Sequence, residues 1–181
     1  VDAHNILPCR VISDKAEYAA FTFRKKVEKQ LAEYLTGYPE MVRHPGPGVR
    51  LVNDWDKIRK WLRADSSVPG VDWILPGEKA AGRGLADFIA NRLDRYATDR
   101  NFPEKDGQSG LSPWLHFGHL SAQRVALEVQ QSQADPASKM AFLEELIVRR
   151  ELADNFCLYN RNYDRVEGFR PWAKTSLGSH R

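Results

Sequence analysis

Residues 142–157 read FLEELIVRRELADNFC. Met140, Leu143, Leu146, Ile147, Leu152 and Phe156 recur there and just upstream at helical spacing. That pattern predicts one long helix, apolar over most of its circumference and therefore buried. Charges on a buried helix need partners or a function. Glu145 and Arg149 stand at i, i+4, the order that favours an ion pair. The same two residues would equally give a pocket floor a carboxylate and a guanidinium for a polar ligand. The spacing leaves both readings open.

Upstream, residues 108–124 read QSGLSPWLHFGHLSAQR. Ser112-Pro113 reads as a helix opening, with Ser as N-cap and Pro at N1. Gln108, Ser109 and Ser112 offer side-chain donors, and Gly110 lets backbone approach closely. Helix starts hold anions, so a phosphate belongs to one reading of this bend and plain capping to the other. It is not a glycine-rich nucleotide fingerprint. Ser121 predicts the cap of a helix running through Val129, and Ser132 to Ser138 a loop. Before the bend, a long helix from Gly77 carries Leu85, Phe88, Ile89, Leu93 and Tyr96, and Asn101 to Gly110 is a polar loop.

Further out, Asp14 with Glu17 suggests a capping box for a helix through Tyr18, Phe21, Val27, Leu31 and Leu35, ended by Gly37. Residues 38–50 are Pro- and Gly-rich and read as a linker. Asn53 or Asp54 caps a helix carrying Trp55, Ile58 and Leu62, and residues 64–77 are turn-rich. Residues 1–8 read as a short strand entering a loop. Residues 160–175 read as loop with a turn at Pro171-Trp172. No strand is predicted after Leu7, so the fold class is mostly α.

The 181 residues are 42% hydrophobic and 28% charged, with net charge +3. This mildly basic balance permits a nucleic-acid partner without requiring one. No apolar run reaches membrane-spanning length, and no leader pattern is present. The chain starts at Val1, and both ends read as cut from something longer. Cys9 and Cys157 stand far apart and form neither metal spacing nor a disulfide framework. A reducing intracellular compartment, cytoplasm or nucleus, is the expectation. His116 and His119 are three apart, but nothing completes a metal site, so none is predicted. Lys25, Lys26 and Lys29 read as a solvated face. No nucleophile elbow is present.

Six segments together resemble the photolyase–cryptochrome family: VDAHNILPC at 1–9, SDKAEYAAFTFRKKV at 13–27, SGLSPWLHFGHLSAQRVALEV at 109–129, FLEELIVRRELADNFC at 142–157, NYD at 162–164 and WAKTSL at 172–177. The nearest likeness is to class II cyclobutane pyrimidine dimer photolyases. Val148, where class I members place Trp, favours that class. The resemblance implies a piece of a longer chain. Residues 1–8 would be the last strand of an N-terminal α/β domain, 9–76 a connector with helices, and 77–181 the first half of an all-helical FAD-binding domain. The antenna pigment's site and the electron-relay tryptophans would lie outside this chain.

The resemblance also implies roles. Tyr96, Gln108, Ser109, Gly110, Leu111, Ser112, Phe142 and Arg149 would bind FAD, with the bend cradling its phosphates. Glu145 would be the catalytic residue, hydrogen-bonded to the pyrimidine dimer. Arg100, Glu145, Arg149 and Arg150 would face damaged DNA, whose dimer is flipped out of the stack. Reduced, light-excited FAD would lend the dimer an electron, and the protein would supply position and electrostatics. A non-repairing cryptochrome-like photoreceptor and a helical DNA-binding module without flavin are the alternatives. Arg10, Phe21 and Lys25 depart from the family pattern and bear on interdomain packing. Trp114, in place of a usual Tyr, is a mild change.

Overall fold

The computed structural model describes residues 4–43, 45, 46, 48, 52–62, 65 and 67–180. Ten α-helices occur among them: α1 Cys9–Ile12, α2 Ala20–Tyr34, α3 Trp55–Leu62, α4 Glu78–Asn91, α5 Tyr96–Asp99, α6 Ser112–His116, α7 Ala122–Gln131, α8 Pro136–Leu143, α9 Arg150–Tyr159 and α10 Pro171–Ser179. A π-helical turn, Glu144–Arg149, joins α8 to α9. The residues group into two compact units, one running to Gly37 and from Pro76 onward, the other Tyr38–Leu75. In the smaller unit the Asp54 carboxylate accepts from the Lys57 N–H at 3.0 Å and caps α3.

No strand is present among the described residues, which overturns the α/β contribution expected at residues 1–8. Val1–Ala3 lie outside the described residues, and His4–Pro8 are bends and loop. The reason lies on α9. The Glu151 carboxylate accepts from the Ile6 N–H at 2.7 Å and the Leu7 N–H at 3.4 Å. Asn155 accepts from the Glu17 N–H at 2.8 Å and donates to the Lys15 carbonyl at 3.1 Å, and the Tyr159 hydroxyl donates to the Ser13 carbonyl at 2.7 Å. Glu151, Asn155 and Tyr159 stand at i, i+4 and i+8, one polar stripe along a helix. It satisfies backbone groups that a sheet would otherwise pair.

The same lacing moves the start of α2. Asp14 and Glu17 do not open it; Ala19 is its N-cap. Glu17 instead accepts from the Ser13 hydroxyl at 2.7 Å and the Lys26 ammonium at 2.6 Å. Tyr18, expected on the α2 face, precedes the helix and is exposed.

The cap predicted at Ser121 is present. The Ser121 hydroxyl accepts from the Arg124 N–H at 3.2 Å. The Asp135 carboxylate accepts from the Ser138 N–H at 2.8 Å, with Pro136 opening α8, so the expected loop at 132–138 is shorter. Ser138, itself buried, donates to the Asp94 carbonyl at 3.0 Å and accepts from the Ala97 N–H at 3.1 Å. These bonds lock α8 to α5.

The core of the larger unit combines Phe23 and Val27 of α2, Leu85 and Phe88 of α4, and Val125 and Val129 of α7 with Phe142 and Leu146–Val148. Phe88, Tyr96 and Phe142 form a triangle of rings with centroids 4.8–5.9 Å apart. Two edge-on contacts and one tilted contact suit the ring quadrupoles. Met140 is exposed despite its place in the apolar pattern.

Candidate functional site

Two rings of the triangle, Tyr96 and Phe142, line a hollow of about 1180 Å3 in the larger unit. Its size reaches past the range of about 300–1,000 Å3 usual for drug-sized ligands. Tyr96, Arg100, Gln108, Ser109, Ser112, Phe142, Glu145 and Arg150 all line it, so most of the expected site residues meet in one place. Gly110, Leu111 and Arg149 are not among its lining residues. Leu111 is fully buried in the core.

The bend at 108–112 is built from below. The two Nη atoms of Arg92 donate to the Gln108 carbonyl at 3.1 Å and to the Asp87 carboxylate at 2.8 Å, tying the bend to the end of α4. Gln108 Nε2 donates to the Arg100 carbonyl at 2.7 Å. Gly107 lies against α5, where a Cβ would stand 2.5–2.9 Å from backbone atoms of Asp99 and Arg100. Gly110 has φ +68°, a left-handed conformation that favours glycine. Ser112 is not the N-cap: Leu111 is, and Ser112 is the first helical residue, with no side-chain cap bond. The Ser109 and Ser112 side chains thus border the hollow, though Ser109 Oγ also accepts from the Leu111 N–H at 3.4 Å.

The π-turn contributes Glu145 and Leu146 to the lining. Its wider winding, i to i+5, changes the ion pairs that α-helical spacing predicts. Glu145 does not pair with Arg149. It accepts from Arg100 Nη1 at 2.8 Å, across the hollow's edge. Arg149 turns to Glu144, at 3.5 Å. Arg100 also lies over the Tyr96 ring, 5.6 Å from its centroid. Hydrogen bonding to Glu145 raises the affinity of Arg100 for its proton, while burial raises the Tyr96 hydroxyl above its ordinary value.

Arg100 Nε and Arg150 Nη2 are buried and lack a hydrogen-bond partner. Both belong to residues of the hollow's wall, and Arg150 Nη2 lies 3.7 Å from the Glu151 carboxylate. Arg150 is held by its Nε, which donates to the Leu146 carbonyl at 3.0 Å. Asn101, Asp154, His4, His116 and Tyr163 complete the polar lining. Sequence reasoning did not find this set, nor Arg92, because no spacing signal joins residues so far apart in the chain. Among the described residues no group of His, Cys, Asp and Glu could hold a metal ion. His119 accepts from the Gly77 N–H at 3.2 Å, a structural bond.

The chain is 49% identical, over 99% of its length, to the deoxyribodipyrimidine photo-lyase of Potorous tridactylus. The same coverage holds for the enzymes named so in Oryza sativa subsp. japonica, at 47%, and Methanothermobacter thermautotrophicus, at 32%. The chain is homologous to deoxyribodipyrimidine photo-lyases over nearly its full length. It spans 34%, 37% and 40% of these three photo-lyases. No family model matches it. No helix among the described residues is long and apolar enough to cross a membrane.

Proposed function

We propose that this chain supplies the flavin-facing and lesion-facing walls of a light-driven DNA photolyase that acts on cyclobutane pyrimidine dimers. One observation carries the reading. Ser109 and Ser112 of the bend, the Tyr96 and Phe142 rings, and Glu145 border a single hollow. The class II assignment belongs to this proposal and rests on Val148 and the motifs around it.

The donor set suits FAD. Hydroxyls of Ser109 and Ser112 match phosphate oxygens, and the Tyr96 and Phe142 rings suit a planar heterocycle. FAD, when bound in its reduced form, supplies the light-driven electron. The protein's own part is to hold and to exclude. Tyr96, Ser109 and Ser112 hold the phosphates, and Phe142 packs against the flavin side. Glu145, kept in place by Arg100, hydrogen-bonds the flipped dimer. Arg100 and Arg150 carry the positive charge that meets the DNA backbone, which makes binding salt-dependent. Arg149 is omitted from this assignment, since Glu144 draws its guanidinium.

The test is repair of an oligonucleotide carrying one thymine dimer, under blue light with FAD present. This chain alone, 34% of the length of the Potorous photo-lyase, is expected to be inactive, and the parent chain restores intact thymines. Glu145→Ala lowers the repair yield by tenfold or more on the scale of about 1.4 kcal/mol per decade, and leaves FAD uptake nearly unchanged. Equal yields would remove Glu145 from the chemistry. Light-stable FAD binding without repair would instead favour a photoreceptor.

A further inference from the structure

Glu144 and Glu145 are neighbours in sequence, yet they reach in different directions. Glu145 borders the hollow, and Glu144 is not among its lining residues. Glu144 accepts a bidentate pair from Arg24 of α2, at 2.8 Å from Nε and 2.7 Å from Nη2. Arg149, one π-turn onward, adds a third contact at 3.5 Å. The Glu144 side chain is 19% exposed. The Arg24 guanidinium holds its carboxyl below the usual carboxylate range, against the opposing effect of burial. Bidentate Arg–carboxylate pairs fix geometry as well as charge. A π-turn carries one residue more than an α-turn, and about 100° of rotation separates successive helical residues. Relaxation of the extra residue into α-helix would therefore swing Glu145 away from its present direction.

We propose that Glu144, clamped by Arg24 and Arg149, is a positioning residue that holds the π-turn and thereby fixes the reach of Glu145 into the hollow. The clamp's consequence for repair rests on Glu145 being the lesion-facing carboxylate; its geometric effect does not. Two readouts keep these apart. The first is NMR of the Arg100 guanidinium, assigned with Arg100→Lys, in which hindered rotation and resolved Nη signals mark the pair with Glu145. Wild type shows them, Glu144→Gln loses them, and the swapped pair Arg24→Glu with Glu144→Arg recovers them. Arg24→Lys keeps the charge without the fork and gives partial loss, so the test survives if Glu144→Gln fails to fold. Unchanged Arg100 signals in Glu144→Gln or Arg24→Lys overturn the proposal. The second readout is preference for a dimer-bearing over an undamaged oligonucleotide, which falls about tenfold in Glu144→Gln. If wild type has no preference while Arg100 still responds to Glu144, the clamp stands and the repair reading fails.

Discussion

Glu151 carries an unusual burden for one side chain. It is fully buried, and only its Oε1 is used, for the Ile6 and Leu7 N–H groups. Burial pushes its carboxyl up to about 7, against the lowering effect of the Ile6 N–H and of Arg150. The folded protein therefore keeps a proton there that the unfolded chain releases near 4.5. Between about 4.5 and about 7 the native state binds more protons, so this group's contribution to stability falls as pH rises, by up to about 1.4 kcal/mol per pH unit. Glu151→Gln keeps an acceptor for Ile6 and removes the titration. Thermal unfolding at pH 5 and pH 8 should show a smaller drop in the variant than in wild type. An equal drop would mean that Glu151 does not titrate in this window. Glu144 has the opposite sign: its ion pair stabilises above its unfolded value and is lost as acid protonates it.

At the scale of elements, local signals were legible and remote ones were not. Ser121 and Asp54 announce their helices because a cap needs only its own next three residues. The α2 start was misplaced because Glu17 answers to Lys26 and α9 rather than to the backbone of a first helical turn. The helical run at 140–156 was found, but Met140 and Phe156 are exposed and its π-turn was missed. Apolar residues at 146–148 fit both windings, and the partners of Glu144 and Glu145 follow the wider one. The polar stripe of Glu151, Asn155 and Tyr159 was hidden within a helix read as apolar. Gly107 offers a test at this scale. A Cβ there meets the backbone of Asp99 and Arg100, which cannot rotate aside. Gly107→Ala should cost roughly 1–3 kcal/mol, the range for overpacking, and weaken FAD uptake by displacing the bend. Denaturant unfolding beside an FAD titration measures both. Wild-type stability would show that the loop yields freely.

Across the whole molecule, the larger unit assembles its hollow from segments at residues 4, 96–116, 142–154 and 163. Most of its key residues could be named from the resemblance. Their convergence follows from packing: Phe88, Tyr96 and Phe142 draw α4, α5 and α8 together, and Ser138 locks α8 to α5. The expected strand was not found because α9 satisfies the backbone around it. The central claim is that this hollow takes FAD. Its most direct test is titration of the chain with FAD, followed by quenching of flavin fluorescence, for wild type and for Ser112→Glu. The account predicts saturable one-to-one binding that the added carboxylate, set where phosphate would lie, weakens at least tenfold. No saturable binding by wild type, or equal binding by the two, would contradict it.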